Sequence, residues 1–352
     1  MSSATPPSCS HDDARAALAL TLVADVGSVT HRALVERFGT SARVLGAAFP
    51  PAVVRAAMAH ADVLVARGRA LGLALTSSAD TAYPASLRDL HDPPPVLWSR
   101  GHWETLQGPV VAIVGTRRAT SYGQRVTRTL VSALSRGGAC VVSGMALGID
   151  AAAHRAVLEV CGRTVAVLGT GADVAYPRAN ITLHREISDR GLVLSELPPE
   201  SRSDAGSFPR RNRIIAALAS LTIVVEAPVR SGALITARCA LDLGRDVAAV
   251  PGPIDVPQAE GTNELIRDGA HAITSISDAL SLIGLNPPTC SHPIIEDESE
   301  QCIWHLLAEG AATLDELCAR AMLPVSHCLA AVTRLELRGI VKCALTGHIR
   351  RR

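Results

Sequence analysis

Val110-Val111-Ala112-Ile113-Val114-Gly115-Thr116-Arg117-Arg118-Ala119-Thr120-Ser121-Tyr122-Gly123 passes from five apolar residues to a glycine, then to a turn rich in hydroxyls and arginine, then to a helix-length segment ending at Arg136. A continuous apolar run of that length reads as a strand buried on both faces. A strand, a glycine, a short turn and a helix is the geometry that aims backbone N–H groups at an anion. The stretch is not a dinucleotide fingerprint, because Gly-x-Gly-x-x-Gly is missing. It is not a P-loop either, because no Gly-Lys-Ser/Thr follows. An arginine pair stands where those fittings would be. Taken alone, the same residues also fit a surface loop with two solvated arginines.

The pattern recurs downstream. Ala139–Val142, Thr164–Leu168, Leu192–Leu194, Leu221–Val225 and Val247–Val250 read as further strands, each stopped by Gly, Ser-Gly, Ser-Glu, Glu-Ala or Pro-Gly. Gly123–Arg136, Ile149–Val160, Asn180–Arg190, Asn212–Ala219 and Ala233–Leu243 have helix length. Strands alternating with helices predict an α/β fold with a doubly wound, mostly parallel sheet, whose ligand sits at the carboxyl ends of the strands.

The flanks differ. Residues 1–12 read as disordered. Residues 13–75 read as a helical module with turns at Gly27-Ser28 and Gly39-Thr40. Tyr83-Pro84 and the prolines at 93–95 break helix and lead into the main domain, placed at 76–286. Residues 287–300 are a polar linker. Residues 301–352 suggest three helices and a hairpin around Thr346-Gly347, the outline of a winged helix.

Composition narrows the function. A chain of 352 residues is expected to form two or three domains. Its net charge of +1 argues against a uniformly basic DNA-coating protein. Basic residues are nearly all arginine, Lys342 being the only lysine, and they gather after Arg320. The longest near-apolar run, Ile214–Val225, is too short to span a bilayer. No charged-then-apolar leader is apparent, which points to the cytoplasm. The nine cysteines are scattered, lack a Cys-x-x-Cys pair and read as reduced thiols, with no metal site expected.

The loops after the strands carry the chemistry. Ser143-Gly144-Met145-Ala146-Leu147-Gly148-Ile149-Asp150 has two glycines for close backbone approach, with Asp150 favoured at a helix N-terminus and His154 one turn on. Gly169-Thr170-Gly171 is followed by Arg178 and by Asn180, an expected helix cap. Ser231 is expected to cap a helix running through Gly232 and Thr236. Asn263 opens a helix after Pro251-Gly252. Phe208-Pro209-Arg210-Arg211-Asn212-Arg213-Ile214-Ile215 packs three arginines before an apolar run, which is costly unless an anion is held there. Some of these arginines are expected to hold the anion, while at least one braces the loop against Glu196 or Glu226. By topology these loops converge on one sheet edge and define a polyanion site. No catalytic set, metal cluster or paired carboxylates stand out, and no cofactor is expected. Aromatic residues make up 3% of the chain, so grip on a polymer would rest mainly on phosphates.

These motifs, together with Tyr176-Pro177, Ser195-Glu196, Pro251-Gly252, Gly261-x-Asn263-x-Leu265-Ile266 and the upstream Asp92-Pro93-Pro94-Pro95-Val96-Leu97, resemble the DprA/Smf family of DNA-processing proteins over residues 82–282 in order. The resemblance implies an extended Rossmann-like domain that binds single-stranded DNA without hydrolysing it. It implies protection of incoming strands in natural transformation, help in loading the RecA recombinase, and a homodimer. It places Arg117 on the family's DNA-contacting arginine in the first loop, and Arg178 where members often have lysine in the third. The implied site comprises Gly115, Thr116, Arg117, Arg118, Ser143, Gly144, Gly171, Arg178 and Asn180. It continues with Arg210, Arg211, Asn212, Arg213, Ser231, Gly232, Thr236 and Asn263. Thr116 stands where serine is commoner, and Met145 where glycine is common. A competing reading is a Rossmann-like nucleotide hydrolase of the lysine-decarboxylase-like group. That group's Pro-Gly-Gly-x-Gly-Thr-x-x-Glu signature is missing, Ser231-Gly232-Ala233-Leu234 standing in its place. A third reading is a regulator that binds DNA or a partner protein through the helix near Val325–Leu337.

Overall fold

The computed structural model describes residues 11–204, 206–285, 295, 297–308, 310–344 and 347–351. They fall into two compact units, divided between residues 287 and 288. The disorder expected for residues 1–10, most of the 287–300 linker, and Thr346 of the expected hairpin lie outside the described residues. His11 and Asp12 already belong to the first helix, where Asp12 and Asp13 complement the helix dipole.

The first unit opens with helices α1 (His11–Thr21), α2 (Ser28–Phe38), α3 (Ser41–Ala48) and α4 (Pro51–Ala70). Gly27 precedes α2, Gly39 ends it, and the Thr40 hydroxyl caps α3 by accepting from the Arg43 N–H at 3.3 Å. These helices share one core with Trp98, Met145 and Ile187 and so pack directly onto the sheet.

The sheet has nine strands: β1 (Ala74–Ser77), β2 (Val96–Gly101), β3 (Val110–Val114), β4 (Cys140–Ser143), β5 (Arg163–Val167), β6 (Leu192–Ser195), β7 (Leu221–Val224), β8 (Asp246–Ala249) and β9 (His271–Ala272). Their order is β1-β2-β6-β5-β4-β3-β7-β8-β9. The stretch from β6 to β9 is parallel, and Val111 of β3 lies beside Val141 on one side and Leu221 on the other. β1 and β2 add an antiparallel edge. Ala74 and Leu75 are therefore strand residues rather than the end of the helical module.

Chain order reverses at β3. Strands β4 to β6 extend to one side of it and β7 to β9 to the other. That reversal opens a crevice at the carboxyl end of β3. Helices α5 (Ser121–Arg136), α6 (Ile149–Glu159) and α11 (Ile276–Leu282) share a core with one sheet face. Helices α8 (Ser207–Leu218) and α9 (Gly232–Asp242) share another with the opposite face. Helices α7 (Ile181–Arg190) and α10 (Glu260–Arg267) complete the winding. The architecture is the extended, Rossmann-like, mostly parallel sheet predicted from the apolar runs. Among the described residues no helix is long and apolar enough to cross a membrane.

The second unit is a winged helix. Helices α12 (Glu298–Leu306), α13 (Leu314–Ala321) and α14 (Val325–Leu337) enclose Ile303, Leu317, Val332 and Leu335. Strands β10 (Ala312–Thr313), β11 (Val341–Cys343) and β12 (His348–Arg351) form a small sheet in the order β10-β12-β11. Some of the basic residues near the C-terminus are paired within the unit. Buried Glu300 takes the guanidinium groups of both Arg334 and Arg338, and Arg334 also reaches Asp297 at 3.3 Å.

Candidate functional site

The turn after β3 is locked from behind. The Thr116 N–H donates to the Glu226 carbonyl at 2.6 Å, and the Thr116 carbonyl accepts from the Ile149 N–H at 3.2 Å. The Arg118 N–H donates to the Thr116 hydroxyl at 3.2 Å. These two N–H groups are taken up by the protein itself, contrary to the sequence expectation that they face a ligand. The N-terminus of α5 is occupied too. Thr120 caps it, accepting from the Gly123 N–H at 3.1 Å, and the Thr120 N–H donates to the Glu226 carboxylate at 2.9 Å. A Cβ on Gly123 would lie 2.3 Å from that carboxylate. The protein thus fills this helix end with its own anion. What remains free of the turn are the side chains of Arg117 and Arg118, both exposed.

The loop after β4 is also closed from within. The Asp150 carboxylate accepts from the Gly144 N–H at 3.2 Å and the Ala146 N–H at 3.4 Å. It ties the loop from the first turn of α6, the helix N-terminal place expected for it, although α6 starts after Gly148 with no side-chain cap. Burial raises the Asp150 pKa, and the nearby Arg211 charge opposes the rise. His154 does not pair with Asp150. Its Nδ1 lies 2.7 Å from the Thr164 hydroxyl, which itself donates to the Val141 carbonyl, so Nδ1 carries the proton. Burial holds the His154 pKa down at about 3, leaving the ring neutral. Met145, at φ 56°, holds a left-handed backbone so that its side chain can pack under the helical module.

Helix α8 begins at Ser207, five residues before the start expected from sequence. Asp204 accepts from the Gly206 and Ser207 N–H groups at 2.9 and 2.6 Å. Pro209 sits in the first turn, where no helical N–H is needed. The three signature arginines therefore ride on a helix, about 100° apart per residue. Arg210 faces solvent and lies 3.6 Å from Glu196. Arg213 is buried between Glu196 at 2.6 Å and Asp92 at 2.9 Å. Arg213 is the brace expected against Glu196. Burial raises the Glu196 pKa, while Arg213 and Arg210 pull it back. Arg211 turns inward, donating to the Val167 carbonyl, and burial lowers its pKa to about 10, so it stays cationic near neutrality.

Between these elements lies a cleft of about 450 Å³. Arg211 and Asn212 line it from α8, Arg117 and Arg118 from the β3 turn, and Arg230 with Ser231 from the approach to α9. Ser231 caps α9, accepting from the Ala233 N–H at 3.3 Å, so the positive end of an eleven-residue helix opens on the cleft. Among the described residues, Arg117, Arg118, Arg178 and Arg230 have no carboxylate within ion-pair distance. The cleft wall thus carries cations that the protein leaves uncompensated.

The sequence-predicted residues divide. Gly115, Thr116, Arg117, Arg118, Arg211, Asn212, Ser231, Gly232 and Thr236 come together around the cleft. Arg178 and Arg210 are exposed but do not line it. Others hold the scaffold. Ser143 is buried and donates to the Ile113 carbonyl at 2.6 Å. Gly144 packs against Arg211. Gly171 donates its N–H to the Ser201 carbonyl at 2.9 Å. Asn180 does not cap α7: it donates to the Met145 carbonyl at 2.9 Å and accepts from Arg155. Asn263 braces Gly252 through two bonds of 3.1 and 2.9 Å. Sequence reasoning passed over Arg230 and Phe208, both in the cleft wall. The signal for Arg230 was its place just before the Ser231 cap. Phe208 stood inside the quoted signature but carries no charge.

A doubly wound sheet with an arginine-lined cleft at its topological switch point defines a Rossmann-like protein, here followed by a winged helix. The family model described as DNA recombination-mediator protein A matches residues 74–284, and that of the DprA winged helix domain matches residues 287–344. The chain belongs to this DprA/Smf family. It is 48% identical to Protein Smf of Synechocystis over 59% of its own length and 53% of that protein's. It is 36% identical to Protein Smf of Escherichia coli over 77% and 75%. The solved structure of DNA processing protein A from Streptococcus pneumoniae superposes with a TM-score of 0.64 at 36% identity, covering 76% of this chain and 95% of that one. The Helicobacter pylori DNA processing protein A, solved for its single-stranded DNA binding mode, gives 0.55 at 33% identity, covering 59% and 94%.

Proposed function

We propose that the chain binds single-stranded DNA along the arginine-lined cleft of its 76–286 domain, without hydrolysing it. The observation that carries this reading is the set Arg117, Arg118 and Arg230, uncompensated around a cationic floor made by Arg211. Guanidinium groups match phosphate oxygens in pairs, and the α9 N-terminus adds a further positive pole. Arg178 and Arg210, exposed outside the cleft, extend the path to neighbouring phosphates. The Helicobacter pylori relative supports a single strand as the polyanion. Asp150 and Glu226 hold backbone N–H groups, a positioning role that suits a binding protein.

By family, the bound strand is DNA taken up in natural transformation. The protein shields it, acts as a homodimer in the cytoplasm and passes the strand to a RecA-type recombinase. The test is a titration of the full chain against single-stranded and duplex oligonucleotides at two salt concentrations, with and without the recombinase. Preference for the single strand, a steep salt dependence and faster recombinase filament formation are the expected results. Equal affinity for duplex removes the central claim, and release of product from nucleotides removes the non-catalytic one.

A further inference from the structure

A second cavity, of about 650 Å³, opens between the α5 N-terminus and the loop after β8, and it shares no lining residue with the arginine cleft. Buried Val225 and Val250, just past the ends of β7 and β8, give it an apolar floor. Pro251, Pro253 and Tyr122 line its sides, and the Tyr122 hydroxyl donates to the Pro251 carbonyl at 3.3 Å, tying the ring to the β8 loop. A volume of that size takes a small ligand, and proline and tyrosine surfaces suit a flat ring.

Glu226 is the one charged residue in this lining, and no cation joins it. Its carboxylate is buried, with Oε2 accepting from the Thr120 N–H at 2.9 Å and Oε1 from the Thr120 hydroxyl. A carboxylate offers about four lone-pair sites, so each oxygen keeps room for one more donor. Two parallel N–H groups on a flat ring complete it, and guanine presents that pair at N1–H and its 2-amino group. A phosphate inside would meet a carboxylate and no cation, so the backbone of a strand does not belong here. One helical turn on from Tyr122, the Arg125 guanidinium stands over the tyrosine ring, 5.6 Å from its centroid. Among the described residues no carboxylate lies within ion-pair distance of Arg125.

We infer that this cavity is a site for a free guanine nucleotide, its base on Glu226 beside Tyr122 and its phosphate at Arg125. Adenine has an acceptor at N1 where guanine has a donor, and hypoxanthine lacks the 2-amino group, so the carboxylate selects guanine. Glu226 also clamps the turn that carries Arg117 and Arg118, its carbonyl taking the Thr116 N–H and its carboxylate the Thr120 N–H. Guanine uses the lone pairs that Thr120 leaves, so the nucleotide binds without releasing the turn and does not compete with a strand.

The experiment is a calorimetric titration of the full-length protein with guanosine, inosine and adenosine monophosphates, alone and after saturation with an oligothymidylate. The guanine nucleotide should bind at one site per chain, the inosine nucleotide about tenfold more weakly, as expected for losing one of two paired bonds. The adenine nucleotide should not bind, and the oligothymidylate should leave the guanine affinity unchanged. Glu226→Gln, which turns a donor toward the base, should abolish binding. Val256→Trp should abolish it too, by filling the cavity from its lining without touching the clamp. Arg125→Ala should reduce the monophosphate to the affinity of plain guanosine. No binding by the wild type overturns the inference, as does equal affinity for the three bases. Displacement by the oligothymidylate, or loss in Arg117→Ala, would put the nucleotide in the strand cleft and overturn it as well. If Glu226→Gln fails to fold, Val256→Trp and the series of bases decide. A protein that binds the guanine nucleotide but no strand overturns the strand-binding reading alone, and one that binds the strand but no nucleotide overturns this inference alone.

Discussion

Gly144 and Arg211 occupy adjoining space so closely that a Cβ on Gly144 would lie 2.0 Å from Nη1 of Arg211. Arg211 is a buried cation, held by the Val167 carbonyl and by the field of Asp150. Displacing it leaves Asp150 without its nearest countercharge and removes the floor of the cleft. Gly144→Ala is therefore expected to lower stability by about 3 kcal/mol, the usual scale for disrupting a buried charged network. It should also weaken strand binding. Urea unfolding and a binding titration on the same preparation check both. An alanine variant with wild-type stability and affinity would show that Arg211 has another seat.

The exposed arginines should behave differently. Arg117→Ala and Arg230→Ala remove groups that touch no carboxylate, so folding should be nearly unaffected. Each phosphate of a single strand left without its arginine flattens the slope of log affinity against log salt by about 0.7. The double variant should flatten it by about 1.4, whatever the base sequence. Affinity measured across a salt series gives the slopes directly, and slopes matching the wild type would place the phosphates elsewhere.

Arg213 and Arg210 are three residues apart and are predicted to separate cleanly. Arg213→Ala leaves Glu196, with a 13% exposed side chain, facing Asp92 without a cation between them. A cost of about 3 kcal/mol is expected from stranding a buried carboxylate. Arg210 is exposed and its contact with Glu196 is long, so Arg210→Ala should cost well under 1 kcal/mol. Thermal melts of the two variants provide the comparison, and similar losses for both would contradict the assigned roles.

These three arginines also show where the sequence stops being legible. Six of the seven parallel strands were readable because strands buried on both faces become nearly unbroken apolar runs, as in Val110–Val114 and Leu221–Val224. The antiparallel edge was not. Ala74–Ser77 is short and mixed, and Val96–Gly101 follows three prolines that mask it. The early start of α8 was hidden by Pro209, which reads as a breaker unless Asp204 is known to hold the first turn. That start decides which way each arginine points. Once Arg210, Arg211 and Arg213 share a helix they must diverge. Their partners then come from Asp92, Glu196 and Val167, residues whose proximity only the folded sheet creates. Glycines that were readable as sites of close approach, such as Gly144, turned out to approach the protein's own groups.

The buried histidines give a pH dependence with a definite sign. His154 is fully buried, its Nδ1 proton held by Thr164, and burial followed by the charges of Arg211 and Arg155 keeps its pKa at about 3. Burial lowers His31, beside the Ser41 hydroxyl, to about 4. In the unfolded chain both titrate near 6.5. Below that pH the unfolded state binds protons that the folded state refuses, so stability falls as pH drops from about 6.5 towards 3 or 4. Each ring contributes about 1.4 kcal/mol per pH unit across its window. Asp150 and Glu196, whose pKa values burial raises, act in the opposite sense, since their contribution is lost as pH rises. A single stability profile therefore mixes the two signs. The difference between wild type and His154→Gln isolates the histidine, because the carboxyl contributions cancel. At pH 7.5 the variant should be the less stable, having lost a shaped and hydrogen-bonded ring. Between pH 6.5 and 4.5 the gap should close by about 1.4 kcal/mol per unit, as acid penalises only the wild type. Urea midpoints at half-unit steps measure the gap, and a difference that stays constant through that range would mean that His154 takes up its proton without unfolding.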